Sequence, residues 1–151
     1  NGLLKNDLVY SSYSNDSTID HLTESVTIGD GLFNNREPFI PSYYMKSLKR
    51  IVIGDECFGK VRVFELNGLS ELESVEIGEK SFMITSYYER NDGSYRIVNC
   101  PKLKSIQIGD GSFYDYHSFE LNNLPSLQSI FISDWYCFSY ALSFSLTGLI
   151  D

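Results

Sequence analysis

Four sets of side chains in this 151-residue sequence could carry chemistry: a recurring acid, three cysteines, two histidines and eleven tyrosines. The acids are Asp30, Asp55, Glu79, Asp110 and Asp134, and each follows a small residue, Gly29, Gly54, Gly78, Gly109 or Ser133. If they sit on neighbouring strands about 4.8 Å apart, like charges in water repel by about 1 kcal/mol per pair. Something must offset that. A row of carboxylates could hold Ca²⁺ or a basic partner. Alternatively, each acid caps backbone N–H groups within its own Gly-acid turn. Calcium loops converge several oxygens within one short segment, and no such cluster exists here, so capping accounts better for the column and no metal site is expected.

Cys57 and Cys137 both stand immediately before a phenylalanine, in equivalent positions about three units apart. That places them about 14 Å from each other, beyond the roughly 7 Å limit for a bridged pair. Cys100 takes a slot that leucine fills elsewhere. All three read as free thiols behaving as small core hydrophobes, and no Cys-x-x-Cys or Cys/His ligand spacing points to zinc. His21 and His117 lie too far apart to share a metal or form a dyad, and His117 reads as a surface side chain. No Gly-x-Ser-x-Gly, phosphate loop or paired-carboxylate motif is present. The expectation is therefore no catalytic residue, no cofactor and no enzymatic activity. A net charge of −8 with only 12 scattered basic residues argues against nucleic acid or an anionic membrane as partner. No apolar run approaches the roughly 18–20 residues needed to span a bilayer, so membrane insertion is not expected.

The elements that position these residues come from internal repetition. A short apolar pair recurs as Val26/Ile28, Ile51/Ile53, Val75/Ile77, Ile106/Ile108 and Ile130/Ile132. From Val26 to Ile51 is 25 residues, to Val75 a further 24, to Ile106 31, and to Ile130 24. Each pair is followed by the small residue and acid and then by a closing Phe33, Phe58, Phe82, Phe113 or Phe138. A second phrase follows in most units: Phe64-Glu-Leu66, Tyr95-Arg-Ile97, Phe119-Glu-Leu121 and Phe144-Ser-Leu146. Both phrases put alternate apolar side chains on one face of an extended segment. Gly68, Asn99, Asn123 and Gly148 share one site, and Gly and Asn are the residues that tolerate a left-handed backbone. The chain has a single alanine, Ala141, and the segments between phrases favour strands and turns over helix.

The phrase Leu-x-x-Ile-x-Ile-x-x-x-x-Phe, at Leu48 to Phe58 and Leu103 to Phe113, resembles the leucine-rich repeat, and most of all its BspA-like surface-protein variant. The usual Asn slot differs, holding Glu56, Lys80 and Gly111. The expected fold is mainly β: a leucine-rich-repeat solenoid with two short strands per coil of about 24–25 residues and little or no helix. Residues 1–151 are expected to form a single solenoid of about six coils, a segment of a longer chain or assembly. The resemblance implies a cell-surface or extracellular setting, with a cytoplasmic one as alternative since the thiols are free.

Along the chain, residues 1–8 read as the back half of a first strand and its turn. Asn15-Asp-Ser17 is a glycosylation sequon if the chain is secreted. Met45 fills the apolar slot of Leu69 and Leu124. The 31-residue unit carries about seven extra residues, and Asp92-Gly93 reads as the turn of a protruding hairpin. Tyr43, Tyr44, Tyr87, Tyr88, Tyr114, Tyr116, Tyr136 and Tyr140 fall beyond the closing phenylalanines. They form either a recognition strip or a roof over the core edges. The outward position between the paired strand residues varies strongly, as Thr27, Val52, Glu76, Gln107 and Phe131. The expected function is a non-enzymatic binding or adhesion module for a protein or glycan. It would use that row together with Tyr87, Tyr88, Tyr114 and Tyr116. The alternative is a structural subunit whose open ends associate head to tail into a fibre.

Overall fold

The computed structural model describes residues 7–10, 20–34, 45–84 and 92–149. Among these there is no helix; ten strands form two all-parallel sheets. The strands are β1 (Asp7–Tyr10), β2 (Ser25–Ile28), β3 (Arg50–Ile53), β4 (Val63–Asn67) and β5 (Ser74–Ile77). The remaining five are β6 (Gly93–Val98), β7 (Ser105–Ile108), β8 (Tyr116–Asn122), β9 (Ser129–Ile132) and β10 (Ser143–Thr147). One sheet runs β1-β2-β3-β5-β7-β9 and the other β10-β8-β6-β4, so from β3 onward the chain alternates between them. The alternating phrases explain the strands: Val26, Ile28, Ile51, Ile53, Val75, Ile77, Ile106 and Ile108 are buried, while the residues between them face outward. Register follows the repeats. Ile51 pairs with Val75, Val75 with Ile106 and Ile106 with Ile130, so the extra residues of the 31-residue unit leave the pairing undisturbed.

The core is two ladders of rings. Phe33, Phe58, Phe82, Phe113 and Phe138 stack face to face at 5.4, 4.9, 4.7 and 5.2 Å. Phe64, Tyr95 and Phe119 form the second ladder at 5.0 and 4.9 Å. The ladders meet edge to face, as at Tyr95–Phe113, 4.9 Å and 80°. Face-to-face stacking is imposed by strand spacing, and the edge contacts supply the ring geometry that quadrupoles prefer.

Every closing phenylalanine has a left-handed backbone, with φ between 50 and 61° at Phe33, Phe58, Phe82, Phe113 and Phe138. The residue two earlier is left-handed as well: Gly31, Glu56, Lys80, Gly111 and Tyr136. The departures from the usual Asn slot therefore occupy a strained corner, at about 1–2 kcal/mol for each non-glycine residue. Burial of the ring offsets that cost. The shared site Gly68, Asn99, Asn123 and Gly148 is left-handed throughout, as its residue types predict.

Two expectations are corrected. The first strand spans Asp7–Tyr10, with Leu8 and Tyr10 opposite Val26 and Ile28, so residues 7–10 begin a unit's first phrase and do not trail off into a turn. Tyr10 in an isoleucine slot hides that copy. Gly93 is no hairpin turn: it is buried, lacks a positive φ and opens parallel strand β6 opposite Tyr116 at a bulge. A Cβ there would lie 2.9 Å from Tyr116 Cα, so glycine is required by close approach. The rest of that insertion, residues 85–91, lies outside the described residues.

Candidate binding surface

Parallel register places Thr27, Val52, Glu76, Gln107 and Phe131 side by side on the outer face of the six-stranded sheet. Thr27, Val52 and Glu76 are half-buried, whereas Gln107 and Phe131 are exposed, Phe131 by 61%. Arg50 reaches along the sheet to donate to Glu76 at 3.3 Å. The flanking row alternates in sign: Lys49 pairs with Glu24 at 2.8 Å and Lys104 with Glu73 at 3.2 Å. On the other sheet Arg96 bridges Glu65 and Glu120 at 3.1 and 2.8 Å. Hydrogen bonding to Glu120 raises the pKa of Arg96, and hydrogen bonding to Glu24 raises that of Lys49. These charges satisfy one another across strands, each exposed pair contributing little to stability. They leave the central row as the chemically varied part of the face.

The tyrosines divide. Tyr114 is half-buried and meets Tyr140 edge-on at 5.2 Å and Tyr136 at 6.1 Å; its hydroxyl lies 3.5 Å from that of Tyr140. Trp135 continues the cluster against Tyr136 at 6.2 Å. Tyr116 is corrected: it is fully buried and donates to the Val61 carbonyl at 2.6 Å, so it belongs to the core and not to an exposed flank. Its slot is the third residue after a closing Phe, shared with Val61 and Ala141. In all three the backbone N–H bonds back to that Phe carbonyl. Tyr43, Tyr44, Tyr87, Tyr88 and Asn15 lie outside the described residues.

Tyr116 has a counterpart in Tyr95, which is equally buried but whose hydroxyl has no hydrogen-bond partner among the described residues. Burial pushes both phenols far above their ordinary range. An orphaned buried hydroxyl costs about 1–3 kcal/mol. Tyr95→Phe is therefore expected to raise stability by about 1 kcal/mol or more in urea denaturation. Tyr116→Phe, which strands the Val61 carbonyl, is expected to lower it by about 1–3 kcal/mol. Equal effects from the two substitutions would contradict this pairing.

Two acids of the column, Asp30 and Asp55, cap backbone, but in the next unit and not in their own turn. Asp30 Oδ1 accepts from Asp55 N at 2.9 Å, and Asp55 Oδ1 from Glu79 N at 2.7 Å, each one unit ahead. The corner ladder Gly31 N to Asp55 O, Glu56 N to Glu79 O, Lys80 N to Asp110 O and Gly111 N to Trp135 O shows that Trp135, and not Asp134, is the fifth member. One extra residue in the last corner displaces Asp134. Among the described residues no group of three or more His, Cys, Asp or Glu is placed to hold a metal ion.

The cysteine slot is a hydrogen-bonding one, which corrects its reading as purely apolar. Cys57, Ser81, Ser112 and Cys137 donate to the carbonyls of Gly29, Gly54, Gly78 and Gly109 at 3.2, 2.8, 2.7 and 3.0 Å. Seeing serine and cysteine alternate in one slot could have revealed this from the sequence. Cys100 is buried in the Leu69/Leu124 slot, as expected. Burial raises the pKa of all three thiols, which suits structural and not reactive cysteines. His21 is exposed and His117 half-buried, in separate parts of the fold. No helix among the described residues is long and apolar enough to cross a membrane. Comparison with protein-family models, with curated proteins and with solved structures finds no match to this chain.

Proposed function

We propose that the chain is a leucine-rich-repeat-type solenoid serving as a non-enzymatic binding module for a protein or glycan, in a cell-surface or extracellular setting. The observation that carries this reading is the outer row from Thr27 to Phe131. Five adjacent strands hold its members in register, and its chemistry changes from unit to unit while the inward residues do not. A rigid sheet presenting a variable row is how repeat proteins gain specificity without altering their fold. The Tyr114, Trp135, Tyr136 and Tyr140 cluster supplies aromatic area of the kind that sugars and peptides both use.

The test is binding of the immobilised chain to a panel of defined glycans and of purified proteins, followed by Glu76→Ser and Phe131→Ser. A ligand seated on this face is expected to lose about tenfold or more in affinity with either substitution. Unchanged binding by folded variants would place recognition elsewhere.

A further inference from the structure

We propose that the aromatic corner formed by Trp135, Tyr136, Tyr114 and Tyr140 docks arginine side chains of a basic segment on a protein partner, which rests on the chain being a binding module. The corner faces solvent because of the slots its residues hold. Trp135 shares a column with Asp55, Glu79 and Asp110 through the corner ladder of hydrogen bonds. Tyr136, with φ 60°, shares the left-handed column of Glu56, Lys80 and Gly111. Asp55, Glu56, Glu79 and Lys80 are exposed although units pack on both sides of them. Both columns therefore point outward within the stack, where they carry mostly charges, and at this corner they carry two rings instead. Tyr114, half-buried in a unit that is itself flanked on both sides, extends the rings at 6.1 Å from Tyr136 and 5.2 Å from Tyr140.

Charge selects the occupant. On the sheet faces the carboxylates are matched: Glu24, Glu65, Glu73, Glu76 and Glu120 each pair with a lysine or arginine. Asp30 and Asp55 are matched by backbone N–H groups. Glu79, Asp110 and Asp134, by contrast, make no side-chain hydrogen bond or ion pair among the described residues. Two of these three flank Trp135: Asp110 is its column neighbour and Asp134 precedes it in the chain. Lys80 is the one cation in the two columns, and Gly111 separates it from Tyr136. Rings bordered by unmatched carboxylates attract a cation through the ring quadrupole and through Coulomb attraction together. Arginine suits both, because its planar guanidinium stacks on a ring while its N–H fork reaches a carboxylate. A neutral glycan would cover the rings and leave the carboxylates unmatched. A second copy of this chain would bring a further −8 to an acidic corner.

Trp135 is the single tryptophan of the chain, so its fluorescence reports on this corner alone. The probe is the synthetic peptide Gly-Arg-Gly-Arg-Gly, titrated to about 1 mM at about 0.01 M and about 0.15 M salt. The expected result is a saturable fluorescence change that weakens severalfold at the higher salt. The same peptide with citrulline, a neutral isostere, in place of arginine should bind at least about tenfold more weakly. Asp110→Asn/Asp134→Asn removes the charges and should weaken the arginine peptide about tenfold. Tyr136→Asn removes a ring with a residue that tolerates the left-handed backbone, and should weaken it similarly, with circular dichroism unchanged. Glu76→Ser, on the sheet face, should leave it unaffected. The absence of a saturable response to the arginine peptide would overturn the proposal. Equal binding of the citrulline peptide would do the same, as would a neutral glycan that shifts Trp135 fluorescence where the arginine peptide does not. In each case a chain that binds other glycans or proteins remains a binding module, and only a chain that binds none of them loses that function as well.

Discussion

Phe113→Ala is expected to destabilise the chain by about 3–5 kcal/mol, enough to bring a fold of ordinary stability close to unfolding. Phe113 is fully buried where the two ring ladders meet. It stacks on Phe82 at 4.7 Å and Phe138 at 5.2 Å, and meets Phe64, Tyr95 and Tyr116 edge-on at 5.6, 4.9 and 4.8 Å. Alanine would leave a cavity walled by five rings, each held by its own strand or corner and unable to collapse inward. It would also keep the left-handed backbone, φ 57° at Phe113, without the burial that offsets it. Phe33, half-buried at the first rung, should cost clearly less when truncated. Urea denaturation of both variants checks the order, and a Phe113→Ala loss below about 1 kcal/mol would mean that the rings do not form the core.

Gly109→Ala is expected to cost at least about 3 kcal/mol, beyond the usual penalty of an added methyl in a packed site. Its φ is not positive, so conformational freedom is not the reason. A Cβ at Gly109 would lie 2.6 Å from Gly78 C and 2.8 Å from both Gly78 O and Glu79 N, all backbone atoms of the preceding corner. That corner cannot retreat, because Gly109 N is bonded to Ile77 O at 2.8 Å in the sheet ladder. Gly31 is the control: its φ is +70° but a Cβ there would meet nothing within 4 Å. Gly31→Ala should cost only about 1–2 kcal/mol. Thermal or urea melts giving the reverse order would show that backbone conformation, and not close approach between units, selects these glycines.

Strand positions were legible because Ile-x-Ile and Phe-x-Leu alternate with a period of two, and tertiary packing had no reason to override them. The left-handed site was legible for the same kind of local reason, since Gly68, Asn99, Asn123 and Gly148 are the residue types that tolerate it. The left-handed phenylalanines were not: intrinsic preference argues against Phe at φ near 55°, and only the packed ladder makes that conformation worthwhile. The burial of Tyr116 is hidden in composition, because its Tyr-, Asp- and Ser-rich neighbourhood reads as loop. Yet the spacing Phe58-x-x-Val61, Phe113-x-x-Tyr116 and Phe138-x-x-Ala141 carried the signal that its slot faces inward. Asp134 looked like the fifth acid because counting from Ile132 cannot reveal a residue inserted into the corner. The alignment of the outer row is legible in the sequence, since register in a parallel sheet follows directly from aligned repeats. What the row binds is written in no periodicity.

Everything proposed for the outer face depends on strands one unit apart lying in parallel register, across the long unit as well as the short ones. Cross-strand nuclear Overhauser effects in the labelled chain test this most directly. Contacts are expected between the backbones of Glu76 and Gln107, of Gln107 and Phe131, and of Glu120 and Ser145. Antiparallel contacts folding Gly93 back on the residues just before it, or helical contacts through residues 109–117, would contradict it.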